Sequence, residues 1–180
     1  MKKTTLLVLT FCLLSFKEMS AQKFRRFSNH TSFNYFFGIA DNEHEKKGGM
    51  FNISTTFNYK IKPSYGVGIG VGQGNHRVDQ EVFGENYNLF SIFLDSRFFF
   101  QNKLQGLAIY FNPGYALKID PAWRKGLMLG LGASYPFSRR KHSNWNLSLN
   151  YRYQEVLQYK PDLEPIKLHG IGFGVGFSFH

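Results

Sequence analysis

The sequence predicts an all-β fold: eight antiparallel strands in an up-and-down transmembrane β-barrel. Three observations in the 180 residues predict it. Eight runs alternate between apolar and small or polar residues, the connections between runs alternate in length, and the apolar side of every run is free of charge. Alternation with a period of two over four or more positions marks a strand with two unlike faces.

The first residues follow another pattern. Lys2 and Lys3 precede an apolar stretch over residues 6–16, and the small residues Ser20 and Ala21 stand ahead of Gln22, the layout of a secretory signal peptide. A core helix would show polar positions at a period near 3.6, and this stretch offers only Thr10 and Ser15. Residues 1–21 are therefore expected to be removed on export, although Met19 is larger than usual at the minus-three position. Cys12, the one cysteine, lies inside the apolar stretch and leaves with it. Neither a disulfide nor a thiol nucleophile then enters the reading of the mature chain. Residues 22–32 read as a basic, periplasmic N-terminal lead-in and residues 33–180 as the barrel domain.

The eight runs cover residues 33–40, 51–61, 65–72, 90–100, 107–115, 127–137, 145–154 and 170–179. Residues 62–64, 101–106 and 138–144 make short turns, while the connections 41–50, 73–89, 116–126 and 155–169 are longer and rich in Gly, Pro, Asn and Asp. Short turns at one end and long loops at the other describe a meander. In the fifth run Pro113 has no N–H to give to a ladder that, in a closed barrel, has no free edge. A bulge or an early strand end is expected there.

An eight-stranded barrel can turn its apolar face inward around a ligand or outward to lipid. The apolar face takes the odd positions in seven runs and the even positions in the fourth, and apart from Tyr and Trp its only polar residues are Thr55 and Ser96. The opposite face is mainly Gly, Asn, Ser and Thr, and its only charges are Lys60, Asp95, Arg97 and Arg152. A water-facing surface carries about 25–35% charged residues, so four charges over eight strands are too few for an exterior. The same composition suits a lumen. Small residues leave room there, and Asp95 can pair with Arg97, Arg152 or Lys60 in an interior ion-pair network.

The aromatic residues give an independent indication. Near the short-turn end of the apolar face lie Phe33, Tyr59, Tyr65, Phe98, Phe100, Tyr135, Phe137, Trp145, Phe177 and Phe179. Toward the long-loop end come Phe51, Phe90, Tyr115, Tyr151 and Tyr153, with Trp123 in a loop. Two girdles of amphipathic rings are what the two headgroup interfaces of a bilayer select, and runs of about 9–11 residues suit an apolar band of about 25 Å.

The stretches "YGVGIGVG", "GLMLGLGASYPF" and "GIGFGVGFSFH" resemble strands of the small bacterial outer-membrane β-barrels of the OmpA/OmpX kind, including PorT-like members. The resemblance covers residues 33–180 and is one of pattern, not of a functional motif. It implies the fold and an outer-membrane location, with little to say about activity. It also implies that a last strand ending in an aromatic residue is read by the outer-membrane insertion machinery. Here Phe179 is followed by His180, one residue away from that pattern.

Removal of the leader takes Lys2, Lys3, Lys17 and Glu18 from the chain and changes its net charge from +10 to +8. The charges are segregated. Asp41, Glu43, Glu45, Asp79, Glu81, Glu85, Asp120, Glu155, Asp162 and Glu164 lie on the long-loop side, and Lys23, Arg25, Arg26, Lys62, Lys103, Arg139, Arg140 and Lys141 on the short-turn side. With termini and short turns in the periplasm, the basic rim would meet inner-leaflet phosphates, and the long loops would be extracellular beside lipopolysaccharide. Nucleic acid is not the expected partner, since base-stacking motifs are absent. Glu43, His44 and Glu45 in the first loop read as a solvated loop and not as a metal site, because adjacent residues seldom point together at one ion.

Some barrels of this size modify lipid A, so the catalytic residue types need weighing. The deacylases of that kind use His and Ser two apart, followed by Asn. His30 and Ser32 have the spacing but are followed by Phe33 and precede the first run; His142, Ser143 and Asn144 lack the spacer and sit in a short turn. Neighbouring residues in extended chain point apart, so His142 is badly placed as a base for Ser143. Asp95 and Ser96 resemble the Asp-Ser pair of the outer-membrane palmitoyltransferases, yet alternation sends them to opposite faces. "GVGIGVG" lies inside a strand with no helix or lysine after it and is not a phosphate loop. The expected protein is a monomeric barrel with a plugged or very narrow lumen and a structural or surface-interaction role in the envelope, without cofactor, metal or catalytic residue. The alternative is a small pore for ions or solutes with Lys60, Asp95, Arg97 and Arg152 at its constriction, and a lipid A-modifying enzyme stands behind both.

Overall fold

The computed structural model describes residues 26–39, 48–78, 85–100, 106–139, 143–156 and 166–179. The leader, Glu43, His44, Glu45, His142 and His180 lie outside the described residues. In chain order the strands are β1 (Phe27–Ile39), β2 (Gly49–Lys62), β3 (Tyr65–Val78), β4 (Glu85–Phe99), β5 (Ala108–Leu117), β6 (Trp123–Arg124), β7 (Gly126–Arg139), β8 (Ser143–Val156) and β9 (Ile166–Phe179).

All of these except β6 pair antiparallel with a neighbour on each side, and β1 closes the ring by pairing with β9 from Asn29↔Phe179 to Ile39↔His169. The expected eight-stranded, up-and-down barrel is therefore the fold. The extra strand β6 runs parallel to β4, with Trp123 and Arg124 opposite Asn88 and Leu89. Its position follows from the short β5, whose Leu117 pairs with Phe90 and leaves that edge of β4 open toward the long-loop end, while β3 still pairs with the other edge. β6 covers part of that open edge.

Side chains alternate as the sequence predicts, with the phase reversed in β4. Ser32, Asn34 and Phe36 are buried between the exposed Phe33, Tyr35 and Phe37, whereas in β4 Phe93, Asp95 and Arg97 are buried and Ile92, Leu94 and Phe98 exposed. Phe173, Ile69 and Leu94 are 63%, 60% and 60% exposed, and they belong to a band of such residues around the ring. A protein in water does not leave so continuous an apolar surface uncovered; hydrocarbon covers it. Thr55 and Ser96, the polar residues expected on this face, are both satisfied, Thr55 by Thr31 (Oγ1···Oγ1 3.0 Å) and Ser96 by the Tyr65 hydroxyl (3.1 Å).

The strands outrun the alternating stretches. β2, β3, β7, β8 and β9 have 14 residues each. At about 3.3 Å per residue and a tilt near 40° they rise roughly 35 Å, so their ends stand clear of a band of about 25 Å. β1 begins at Phe27, ahead of the alternating run at residue 33, because its outward positions Asn29 and Thr31 are polar and hide the pattern. His30 and Ser32, read from sequence as preceding the first strand, are therefore part of β1 and point into the lumen.

The expectation at Pro113 also needs correcting. β5 neither ends nor bulges there: Phe93↔Gly114 and Ser96↔Phe111 keep one register on either side of a gap in the ladder. Asn112 fills the gap, its side-chain Nδ2 donating to the Leu94 carbonyl (3.3 Å), which Pro113 opposite cannot reach with an N–H. The irregularities fall instead near the short turns, between Lys60 and Lys62 and between Pro136 and Ser138.

Val175 faces outward in mid-strand, opposite Phe33 and Leu147. Val175→Arg is expected to cost about 2–4 kcal/mol of barrel stability. Urea unfolding in lipid vesicles measures it, and wild-type stability of the variant would contradict the outward assignment.

Candidate functional site: the barrel lumen

The lumen is where the fold gathers its buried polar side chains, and it has three levels. Nearest the short turns, Ser178 Oγ accepts from Asn146 Nδ2 (2.8 Å) and lies 2.8 Å from His30 Nδ1, joining β1, β8 and β9. Gly176 makes room for the His30 ring, since a methyl there would collide with it.

At mid-height a side-chain network crosses the barrel. Asn150 Nδ2 donates to Asn34 Oδ1 (2.9 Å) and to Ser148 Oγ (3.1 Å), Asn34 Nδ2 donates to Ser32 Oγ (3.0 Å), and Ser32 meets Ser54 Oγ at 2.9 Å. Tyr110 donates its hydroxyl proton to Asn150 Oδ1, and the Arg97 guanidinium lies 4.9 Å above the Tyr110 ring. Arg97 in turn donates from Nε and Nη2 to the two oxygens of Asp95 (3.2 and 3.3 Å), and Asn112 Nδ2 donates to Asp95 Oδ1 (2.6 Å). Asp95 is 1% exposed, so its charge relies on these donors. A cavity of about 60 Å³ remains between His30, Asn34, Phe93, Asp95, Tyr110 and Arg152, room for roughly four waters.

Toward the long-loop end the lumen turns apolar. Phe36, Met50, Tyr87, Leu89, Ala116 and Val156 form a buried cluster, with Ile166 and Leu168 packed on it. Arg152 and Gln154 lie beside it; Arg152 Nη2 donates to Gln154 Oε1 (3.4 Å), and Gln154 Nε2 donates to the carbonyls of Leu127 (3.2 Å) and Glu155 (2.9 Å).

Of the four lumen charges singled out in the sequence, the structure joins Asp95 to Arg97. Arg152 lies above them with Gln154, and Lys60 sits near the short turns, its Nζ 5.1 Å from the centroid of the Phe99 ring. The girdle residues Tyr59, Tyr65, Phe98, Phe100, Tyr135, Phe137, Trp145, Phe177 and Phe179 stand at the short-turn end. Rings pair there: Tyr65 with Phe98 at 4.7 Å, Trp145 with Phe177 at 5.0 Å, Phe177 with Phe179 at 4.4 Å and Phe27 with Tyr59 at 5.0 Å. Arg26 donates to the Tyr59 hydroxyl (3.2 Å), a bond that raises the guanidinium pKa above its ordinary value. Ser96 and Asp95 face opposite sides, and His30 contacts Ser178, not its near neighbour Ser32.

The apolar cluster escaped the sequence reading. Tyr87, Leu89, Val156, Ile166 and Leu168 fall in stretches read as loops, yet their spacing of two continues the inward phase of β4, β8 and β9 and was a usable signal.

A family model for the outer membrane protein beta-barrel domain matches residues 4–179. The chain belongs to that family. Among solved structures, this outer-membrane barrel is similar to OprG of Pseudomonas aeruginosa (14% identity, TM-score 0.51, covering 85% of this chain and 94% of that one). It is likewise similar to the attachment invasion locus protein Ail of Yersinia pestis (14% identity, TM-score 0.51, 86% and 99% covered) and to Neisserial surface protein A (13% identity, TM-score 0.51, 85% and 96% covered). At such identities the likeness bears on the fold, a small barrel of the bacterial outer membrane. No curated protein matches the chain in sequence.

Asp95→Ala leaves Arg97 buried without its carboxylate and is expected to destabilise the barrel by about 3 kcal/mol. The double variant Asp95→Ala, Arg97→Met is expected to lose less than the two single variants added together, because it strands no charge. A double-mutant cycle of urea unfolding measures the difference.

Proposed function

We propose that this outer-membrane barrel has a structural or surface-interaction role in the bacterial envelope and neither conducts nor catalyses. The observation that carries this reading is the filled lumen. An apolar cluster lies across the long-loop end, a side-chain network crosses the middle, and the cavity left among the network residues measures about 60 Å³. A conducting path needs continuous water, and an eight-stranded ring has an interior only just wide enough for its own side chains.

Catalysis on lipid is disfavoured by access. His30 and Ser178, a His–Ser contact at 2.8 Å, are each 7% exposed and point away from the lipid-facing surface. The orientation we propose places termini and short turns in the periplasm and the long, acid-bearing loops outside. Its support is the segregation of charge: the basic side chains of Arg26 and Lys62 flank the short-turn girdle, where inner-leaflet phosphates would lie. In this orientation the loops meet lipopolysaccharide, and the last strand, with Phe177 and Phe179 outward, is what the insertion machinery would read. Removal of residues 1–21 on export and a monomeric state belong to the same reading.

Planar-bilayer recording is expected to show no steady openings; openings altered by Arg152→Ala would establish a pore instead. Lipid A from expressing cells is expected to keep its mass, and a change abolished by His30→Ala would establish an enzyme. Proteolysis of intact cells is expected to cut only within the long loops, and cleavage in the short turns would reverse the proposed orientation.

A further inference from the structure

Of the four lumen charges, Arg152 and Lys60 have no counter-charge among the described residues, and Arg152 is the more deeply buried. It is 7% exposed, its Nε has no hydrogen-bond partner, and its bond to Gln154 is long at 3.4 Å. The buried carboxylate of the lumen, Asp95, is taken by Arg97 and Asn112. Across from Arg152, His76 of β3 is 5% exposed, and its Nδ1 is also without a partner. Both residues line one cavity of about 10 Å³, walled by Phe36, Met50 and Leu168 and bordered by Gln154.

Two buried residues with orphaned nitrogens, bordering one small void, call for a guest. A water would accept from Arg152 Nε–H but leave the guanidinium charge uncompensated among apolar walls, where charge is poorly screened. The volume is that of about one water-sized sphere, too small for a carboxylate, phosphate or sulfate. A monatomic anion supplies the counter-charge and is the smallest that can: chloride is only slightly larger than a water, and the flexible Met50 and Leu168 side chains in the wall can yield the difference. We propose that the cavity between Arg152 and His76 is a halide site, occupied by chloride, with Arg152 Nε–H and the Nδ1–H tautomer of His76 as its donors. The proposal does not depend on whether the lumen conducts, since it concerns the ion at rest beside Arg152.

The test uses the folded full chain in detergent. Crystals grown in sodium bromide are expected to show an anomalous peak within about 3.5 Å of Arg152 Nε, at ordinary N–H···anion range. In solution, replacing sodium gluconate by sodium chloride at equal ionic strength is expected to raise the folded-to-unfolded ratio about threefold when chloride is at twice its dissociation constant. Arg152→Met and His76→Phe are expected to lose that response. If Arg152→Met fails to fold, the bromide peak in the wild type still decides. Absence of bromide from the cavity, or a chloride response unchanged in His76→Phe and Arg152→Met, would overturn the proposal. Bilayer conductance tests the plugged lumen separately and leaves this result untouched.

Discussion

Hydrocarbon offers no partner to a backbone N–H or C=O, so a strand that crosses it must be paired along both edges. The β1–β9 ladder meets that demand by making the sheet a ring, and the remaining features follow from it. Where the ring is breached, a local repair is visible. Pro113 removes a donor opposite Leu94, and the neighbouring Asn112 side chain supplies one. β5 stops short of β4, and β6 folds back onto the exposed edge. Outward hydroxyls at Thr31 and Thr55, or at Ser96 and Tyr65, satisfy one another across adjacent strands.

Closure also dictates how the interior is filled. Half the side chains must enter a space that eight strands keep narrow, so large residues on one strand require near-absence of side chains on the next. Phe93 of β4 occupies the space that Gly70 of β3 and Gly114 of β5 leave open, and Phe36 of β1 lies against Gly172 of β9. A methyl at Gly70 or Gly172 would collide with the ring beside it, and one at Gly114 with the Ile92 carbonyl and the Phe93 Cβ. Glycine in a strand interior weakens an isolated sheet, but here the ladder is paired on both sides and the vacated space is used. The glycine-rich faces of β3 and β9 are thus the complement of bulky inward residues on their neighbours.

This division explains what could be read from the sequence. The outward face is imposed by lipid, one residue at a time and without exception for charge, so its period, its phase change in β4 and its aromatic girdles were all legible. The inward face is imposed by packing between strands distant in sequence. Alternation placed Asp95 inside but could not choose among Arg97, Arg152 and Lys60, because that choice depends on height along the lumen and on register. His30 and Ser178 are 148 residues apart, and nothing local announces their contact. β1 began earlier than expected for a related reason: above and below the apolar band lipid no longer demands an apolar outward residue, so the pattern fades while the pairing continues. The same fading hid Tyr87, Leu89 and Leu168.

The vertical order of the lumen bears on the proposed role. Its lower and middle levels are polar, with Asn34, Asn150 and Asp95 each held by more than one bond, whereas the level nearest the long loops is apolar. An apolar cluster at that level repels water from the mouth and fixes the strand ends from which the long connections spring. Loops anchored on packed strand ends need fewer residues of their own to hold a shape, and the entropy of ordering them falls accordingly. A barrel built this way uses its interior to steady its outer rim. On the proposed reading, interaction is then the work of that rim, and the lumen contributes to it through rigidity instead of passage.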